Sequence, residues 1–263
     1  MKKLAATALT MSLATGPALA EDKRYTLAAP SVTLEQVRSV SPALEKYTTE
    51  TVLDNLWKRP GLSPRDRSVI TLAALIARNQ PIEMPFHVNL ALDNGVKPAE
   101  ISEIITHLAF YSGWANAMAA VAVTGDVFAA RGIGADQLPE ATPAPIVYDK
   151  TAAAADAQRA AGVEQNVGPV SPGVVEFTNG VLFKDLWLRP GLTPRDRSLI
   201  TVTSLISSGQ VAQVTYHLGR AIDAGLTQAE TSEMLTHLEF YAGWPNVFSA
   251  VPIVKDVFDK RKS

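Results

Sequence analysis

Apolar residues recur at helical spacing along most of the chain, and no segment alternates apolar and polar residues as a strand does. The clearest helical segment follows Ser63-Pro64, where a hydroxyl residue, a proline and an early carboxylate coincide as they do at many helix starts. This pattern predicts an all-α fold. The apolar positions of that segment are Val69, Ile70, Leu72, Ala73 and Ile76.

Proline and glycine mark the boundaries of the other predicted helices. Ser41 is the expected cap of the helix that starts at Pro42. The lead-in at 21–38 is expected to be loose, and a short helix is expected near 151–161. The remaining predicted helices run from Pro42 to about Trp57, across His87 to Gly95, from Pro98 to Gly113 and from Ala115 to Arg131.

The whole pattern occurs twice, at a constant offset of 130 residues. The run Trp57-Lys-Arg-Pro-Gly-Leu-Ser-Pro-Arg-Asp-Arg-Ser68 returns as Trp187-Leu-Arg-Pro-Gly-Leu-Thr-Pro-Arg-Asp-Arg-Ser198. Self-similarity at a fixed period indicates repeated structural units. We therefore expect two tandem helical domains, at residues 21–135 and 170–263, joined by a connector at 136–169.

The first twenty residues are typical of a secretory signal peptide. Lys2 and Lys3 precede an apolar stretch, and Ala18-Leu-Ala20 fits a small-residue cleavage site. We expect cleavage after Ala20 and a periplasmic or secreted protein that has no membrane attachment once it is cleaved.

Composition excludes several kinds of chemistry. The chain has no cysteine, so it has no disulfide, no thiolate nucleophile and no cysteine metal site. The hydrophobic fraction of 47% and the charged fraction of 19% are those of a globular protein. With a net charge of −2 and no basic block, the chain is not expected to bind nucleic acid.

The four histidines occupy matched positions in the two repeats. His87 and His217 are retained although their neighbours differ, which makes them candidate catalytic residues. His107 and His237 lie among retained apolar residues, which favours a structural role. Glu83 lies four residues before His87, but Gln213 takes its place in the second repeat, so no metal site is predicted.

Retained arginines are candidates for binding an anion, since a guanidinium matches a carboxylate in bidentate fashion. Arg67 and Arg197 are the expected catalytic partners of His87 and His217, while Arg65 is assigned only a salt bridge to Asp66. The expected substrate-binding residues are Arg59, Arg189, Trp114, Trp244, Asn116 and Asn246.

Several of these motif words resemble the carboxymuconolactone decarboxylase family. They are Leu-Trp-x-Arg-Pro-Gly-Leu-[Ser/Thr]-Pro-Arg-Asp-Arg-Ser, a helix with His and Gly, and Glu-x-x-x-His-Leu-x-Phe-Tyr-x-Gly-Trp, in this order in both halves. The resemblance implies an alkylhydroperoxidase-D-like helical fold. Because the family's single domains assemble into rings of six, it also implies a homo-oligomer, a trimer of two-domain chains.

The resemblance further implies a carboxy-lyase that needs no cofactor and acts on a small carboxylate or lactone. Arg67 and Arg197 would hold the leaving carboxylate, and His87 and His217 would protonate the ring carbon. The peroxidase relatives use Cys-x-x-Cys before this histidine, which the cysteine-free chain lacks. The alternatives are a non-catalytic periplasmic binding or assembly protein on the same scaffold, and other chemistry on the same fold, including a metal-assisted reaction. The differences between the halves also leave open that one of the two sites is degenerate.

Overall fold

The computed structural model describes residues 32–262, which are mostly helical and contain no strand. The all-α prediction is therefore confirmed for this part of the chain, while the predicted signal peptide lies outside the described residues. The first repeat contains α1 (Leu34–Val40), α2 (Pro42–Lys46), α3 (Pro64–Ala77), α4 (Met84–Asp93), α5 (Pro98–Ser112) and α6 (Trp114–Ala130).

The second repeat has the same order of elements. Its helices follow a connector helix, α7, which is longer than predicted. The bounds are α7 (Lys150–Val167), α8 (Pro172–Phe177), α9 (Pro194–Ser207), α10 (Val214–Asp223), α11 (Gln228–Ala242) and α12 (Trp244–Lys262). In both repeats a π-helical segment and a 3-10 turn precede the long central helix, at Tyr47–Leu53 and Leu56–Lys58, and at Thr178–Phe183 and Leu186–Leu188.

Two local predictions about helix starts need correction. The side chain of Ser41 makes no capping hydrogen bond, although Pro42 does open the helix. Part of the lead-in expected to be loose is α1, which Thr33 and Gln36 start with reciprocal capping hydrogen bonds. The cap at Ser63 is confirmed, since its side chain accepts a hydrogen bond from the backbone amide of Asp66.

The central helices α3 and α9 pack against each other. Every residue of α3 from Asp66 to Ala77 is buried, and so is every residue of α9 from Asp196 to Ser207. A helix buried on all sides needs neighbours all round. Helix α3 has them in α4, α5 and α6 of its own repeat and in α9 and α11 of the other repeat.

The two repeats consequently share one hydrophobic core, to which both contribute buried residues such as Ile70, Leu108, Ile200 and Leu238. Where α3 and α9 begin, each repeat forms an ion pair with the other. Arg65 donates to the Asp196 carboxylate at 2.8 Å, and Arg195 donates to the Asp66 carboxylate at 2.9 Å. The repeats therefore interlock around a pseudo-twofold axis that passes between α3 and α9.

Candidate functional site

Each predicted catalytic histidine lies in an aromatic cluster built from both repeats. The first cluster consists of Trp57 and His87 from the first repeat with His237 and Tyr241 from the second. The second cluster consists of Trp187 and His217 from the second repeat with His107 and Tyr111 from the first. Helices α5 and α11 therefore complete the site of the opposite repeat.

In the first cluster the rings hold one another in place. His87 stacks on Trp57 with centroids 6.0 Å apart and meets the ring of Tyr241 edge-on at 5.4 Å. The indole N–H of Trp57 donates to the Tyr241 hydroxyl at 2.8 Å. This hydrogen bond joins the 3-10 turn before α3 to α11 and fixes two walls around the imidazole.

The second cluster repeats this geometry closely. His217 stacks on Trp187 at 5.9 Å and meets Tyr111 edge-on at 5.3 Å. The Trp187 indole donates to the Tyr111 hydroxyl at 2.8 Å. Because both repeats form the same ring contacts and the same indole–hydroxyl hydrogen bond, the residues that the repeats share determine this geometry.

Below each cluster lies a buried ion pair. Arg67 donates to Glu233 at 2.8 Å and to the Arg59 carbonyl at 2.7 Å, and its side chain is 0% exposed. Arg197 donates to Glu103 at 2.6 Å and is buried to the same degree. Both guanidinium groups are thus committed to a carboxylate supplied by the other repeat.

The ion pair also determines the tautomer of the deeper histidine. Arg67 Nη1 lies 3.3 Å from His237 Nδ1, and because arginine only donates, Nδ1 is the acceptor. The Thr71 hydroxyl donates to the Arg67 carbonyl and therefore accepts from His237 Nε2 at 2.8 Å. His237 is thus a neutral, fully hydrogen-bonded imidazole. His107 makes the equivalent contacts with Arg197 and Thr201.

Arg59 and Arg189 bind the same two glutamates. Arg59 donates through Nε and Nη2 to the two oxygens of Glu233, and Arg189 makes a similar fork with Glu103. Burial acts to raise the pKa of Glu233, but the hydrogen bonds from Arg59 and Arg67 outweigh it and lower that pKa. Glu233 is therefore ionised at neutral pH.

These contacts correct the expected arrangement of arginine and histidine. Arg67 does not face His87 across an open site, since His237 and its ring neighbours lie between them and Glu233 occupies the guanidinium. Arg197 is separated from His217 in the same way by His107. A substrate carboxylate could reach either guanidinium only after a buried ion pair had broken, which is costly.

The imidazoles of His87 and His217, in contrast, make no hydrogen bond to any residue in the described part of the chain. The two residues are only 6% and 7% exposed, and the Nδ1 atom of each is buried without a hydrogen-bond partner. Burial lowers the pKa of His87 to about 4; burial together with the nearby Arg220 lowers that of His217 to about 4. Both imidazoles are consequently neutral at pH 7.

The other predicted substrate-binding residues lie away from these clusters. Asn116 and Asn246 donate to the carbonyls of Ala77 and Ser207 at 3.3 Å, at the ends of the two central helices. The ring contacts of Trp114 and Trp244 are with Phe110 and Phe240, and both indoles are largely exposed. The structure brings none of these four side chains to the histidines.

An open cleft of about 360 Å³ lies beside Asn246, lined also by Ala77, Arg78, Ser207 and Ser208. It lies at the carboxyl ends of α3 and α9 and includes no member of either cluster. Among residues 32–262, no group of three histidine, aspartate or glutamate side chains could hold a metal ion. None of the helices described is long and apolar enough to cross a membrane.

Sequence reasoning did not assign the tryptophan and tyrosine walls or the glutamates to the site. Trp57, Tyr241 and Glu233 all have matched counterparts, Trp187, Tyr111 and Glu103, and this retention was the available signal. Glu103 and Glu233 each precede a deeper histidine by four residues, one helical turn, so the pairing of glutamate and histidine on one helix face was visible.

Comparison with known proteins shows similarity to two proteins that are named decarboxylases. The chain is 29% identical over 105 residues to the 4-carboxymuconolactone decarboxylase of Acinetobacter baylyi, a match that covers 40% of the chain and 78% of that relative. It is 35% identical over 80 residues to the nitrosuccinic acid decarboxylase of Metarhizium robertsii. This second match covers 30% of the chain and 56% of the relative.

The model of one protein family matches the chain twice, at residues 42–126 and 172–256, which together make up more than half of its length. Each match runs from the helix before the tryptophan motif into the last helix of a repeat, and so includes the complete contribution of that repeat to both clusters. The chain belongs to the carboxymuconolactone decarboxylase family, in two tandem copies.

Proposed function

We propose that the protein is a cofactor-free decarboxylase that acts on a small carboxylated lactone or a related acid. The observation that carries the proposal is the pair of enclosed, neutral and unpartnered imidazoles, His87 and His217, each held between a tryptophan and a tyrosine. Family membership and two relatives that are named decarboxylases support the same reaction type.

The reaction needs an electron sink and one proton. The bond between the ring carbon and the carboxylate breaks, CO2 leaves, and the electron pair moves into the conjugated lactone carbonyl. The ring carbon then takes up one proton, which restores a neutral lactone. The lactone itself accepts the electrons, so no metal or organic cofactor takes part in the proposed step.

The imidazole is the proposed proton donor to that carbon. With a pKa of about 4, His87 and His217 are neutral at pH 7 in the free protein and lack the acidic proton of an imidazolium. A carboxylate bound beside the ring favours the imidazolium and raises this pKa toward neutrality, so substrate binding increases the charged fraction of the donor. A positioned general acid contributes about 10²- to 10⁴-fold to the rate.

The buried arginines have a structural role in the proposed reaction. Arg67 and Arg197 hold His237 and His107 in one tautomer and keep the walls of the clusters in register, rather than binding the substrate. An apolar aromatic wall beside the carboxylate disfavours its charge and so favours the loss of CO2.

The test is CO2 release from a panel of small lactones and β-keto acids. His87→Gln and His217→Gln should each lower turnover if both sites work, and the double variant should lower it about 10²- to 10⁴-fold. His237→Gln serves as a comparison, because it removes an imidazole that the proposal treats as structural. Full turnover by the double variant would exclude the proton-donor role.

A non-catalytic binding protein is the second candidate, and the buried ion pairs favour it. The arginines that the sequence offered for a substrate carboxylate are occupied by Glu103 and Glu233. In that case small carboxylates would bind near His87 or His217 without being consumed. Binding in calorimetry with no CO2 released from any member of the panel would support this candidate over the enzyme.

A further inference from the structure

The second cluster carries a cation that has no counterpart in the first. The guanidinium carbon of Arg220, on α10, lies 4.3 Å from the ring centroid of Trp187, the indole that stacks on His217. Arg220 donates to the hydroxyls of Tyr216 and Tyr148 at 3.2 and 3.3 Å. Within residues 32–262, no carboxylate lies at ion-pair distance from this guanidinium.

A second arginine approaches the same aromatic surface from the connector helix. The guanidinium carbon of Arg159, on α7, lies 3.7 Å from the ring centroid of Phe183, which is also 5.5 Å from Arg220. Arg159 donates to Asp156 and Asn179, but its Nη2 is buried without a partner although the side chain is only 7% exposed. A buried donor without an acceptor is costly, so this part of the aromatic surface holds a hydrogen-bond donor that the described part of the chain does not satisfy.

The matched positions of the first repeat lack these polar groups. Leu90 stands where Arg220 does, and Phe86 stands where Tyr216 does. Near the first cluster the charge has the opposite sign, because Glu83 takes the place of Gln213. The negative charge of Glu83 acts on the first cluster: burial is the main cause of the raised pKa of Tyr241, and Glu83 raises it further.

We propose that the second cluster binds a small carboxylate anion through Arg220, with the anion held beside His217, and that the first cluster does not bind the same ligand. The guanidinium offers a planar fork that matches a carboxylate. The hydroxyls of Tyr148 and Tyr216 accept from Arg220 and can each donate their own proton to the anion. The proposal rests on the proposed function only in placing the reacting carboxylate at this site.

The consequence for the reaction is a division between the two sites. An anion beside His217 supplies the negative charge that this imidazole needs to take up its proton. His87 has Glu83 and Leu90 in its repeat at the matched positions, so a carboxylate there would meet repulsion and no fork. His217 is then the histidine on which turnover depends.

The test is calorimetric titration of the intact chain with succinate, and with neutral succinamide as the matched probe. We expect one succinate site per chain and no binding of succinamide. Arg220→Leu should weaken succinate binding about 10- to 100-fold, since a charge-assisted pair is lost. Arg38→Leu makes the same charge change on α1, where Arg38 pairs with Glu45, and should leave the affinity unchanged.

Two further variants separate loss of binding from loss of folding. Arg220→Lys keeps the charge but not the fork, and should bind succinate with an affinity between those of wild type and Arg220→Leu. Leu90→Arg should create a second succinate site at the first cluster, a gain that misfolding cannot produce. Unchanged binding by Arg220→Leu, two equal sites in the wild type, or no saturable succinate binding would each overturn the proposal.

The failure of this proposal can be told apart from the failure of the proposed function. Succinate binding that depends on Arg220, without CO2 release from any lactone, would leave the anion site standing and reject the decarboxylase. CO2 release that survives Arg220→Leu and His217→Gln but is lost in His87→Gln would keep the decarboxylase and reject the assignment of the anion to the second cluster.

Discussion

Among single residues, Glu103 and Glu233 link the arginines of one repeat to the buried histidines of the other. Each glutamate accepts hydrogen bonds from two arginines of the opposite repeat, and one of those arginines fixes the tautomer of a buried histidine. Removing the carboxylate charge would leave a guanidinium buried and uncompensated. The free energy of unfolding should therefore depend more on these two side chains than on the exposed ion pairs.

Glu233→Gln and Glu103→Gln should each lower the free energy of unfolding by about 3–5 kcal/mol, because breaking a buried pair strands its partner. Urea unfolding at pH 7 measures the change. Glu45→Gln, which breaks the surface pair with Arg38, is the matched control and should cost at most about 1 kcal/mol. A loss in Glu233→Gln no larger than in this control would contradict the prediction.

The buried histidines predict a loss of stability in mild acid. The pKa values of His87 and His217 are lowered to about 4, and that of His237 to about 3, chiefly by burial. In the unfolded chain these histidines therefore bind protons below about pH 6.5, whereas in the folded chain they bind them only below about pH 4. Stability should fall as the pH is lowered through this window.

Chemical unfolding at pH 7 and pH 4.5 measures this loss, which should reach about 2–3 kcal/mol for each of these histidines. The variant His87→Asn with His217→Asn should show a smaller loss than wild type over the same interval. The ion-paired glutamates have lowered pKa values and lose their contribution only at still lower pH. An equal loss in variant and wild type would rule out the histidines as its source.

Among the elements, the loops before α3 and α9 bring the repeats together. Gly61 and Gly191 lie so close to Glu233 and Glu103 that a β-carbon would collide with the glutamate side chain, at 2.7 Å in the case of Gly61. The Pro-Gly of the repeated motif thus allows the loop to lie against the ion pair. Its role is close approach rather than an unusual backbone conformation.

Gly61→Ala should lower the free energy of unfolding by about 1–3 kcal/mol, since the added carbon must displace Glu233. Thermal and urea unfolding test this. Gly162→Ala, inside α7 with no atom within 4 Å of the added carbon, is the control and should stabilise by about 0.5–1 kcal/mol. Equal effects of the two substitutions would show that the loop can move away freely.

In the whole molecule the two repeats are not independent units. The core is continuous across them, and each cluster takes side chains from both. A separate first repeat would expose the faces of α3 that contact α9 and α11, and Arg67 would lose Glu233. The intact fold therefore requires both halves together.

Residues 32–135 and 136–263, produced separately, should not form folded monomers, whereas the two produced together should form a soluble complex. Size-exclusion chromatography with light scattering gives the state of assembly, and circular dichroism gives helix content. Cooperative unfolding of either half as a monomer would refute the shared-core argument. The same measurement on the intact chain tests the trimer, which stays a prediction.

Sequence patterns predicted the helices and the repeat, because helical periodicity, the cap at Ser63 and the constant offset are local or one-dimensional signals. They did not predict the partners of the arginines. Arg67 and Glu233 lie 166 residues apart in the chain, and only the packing of α3 beside α11 brings them together. His87 and His217 were placed correctly on their helix, but the tyrosines that contact their rings come from the other repeat.

The covalent link between the repeats has a consequence for specialisation. When a site is assembled from identical subunits, every substitution appears in all copies at once, so no copy can acquire a new task while another keeps the old one. Here position 90 holds leucine and position 220 holds arginine within one molecule. Joining two copies end to end thus permits a division of labour that symmetry would otherwise forbid.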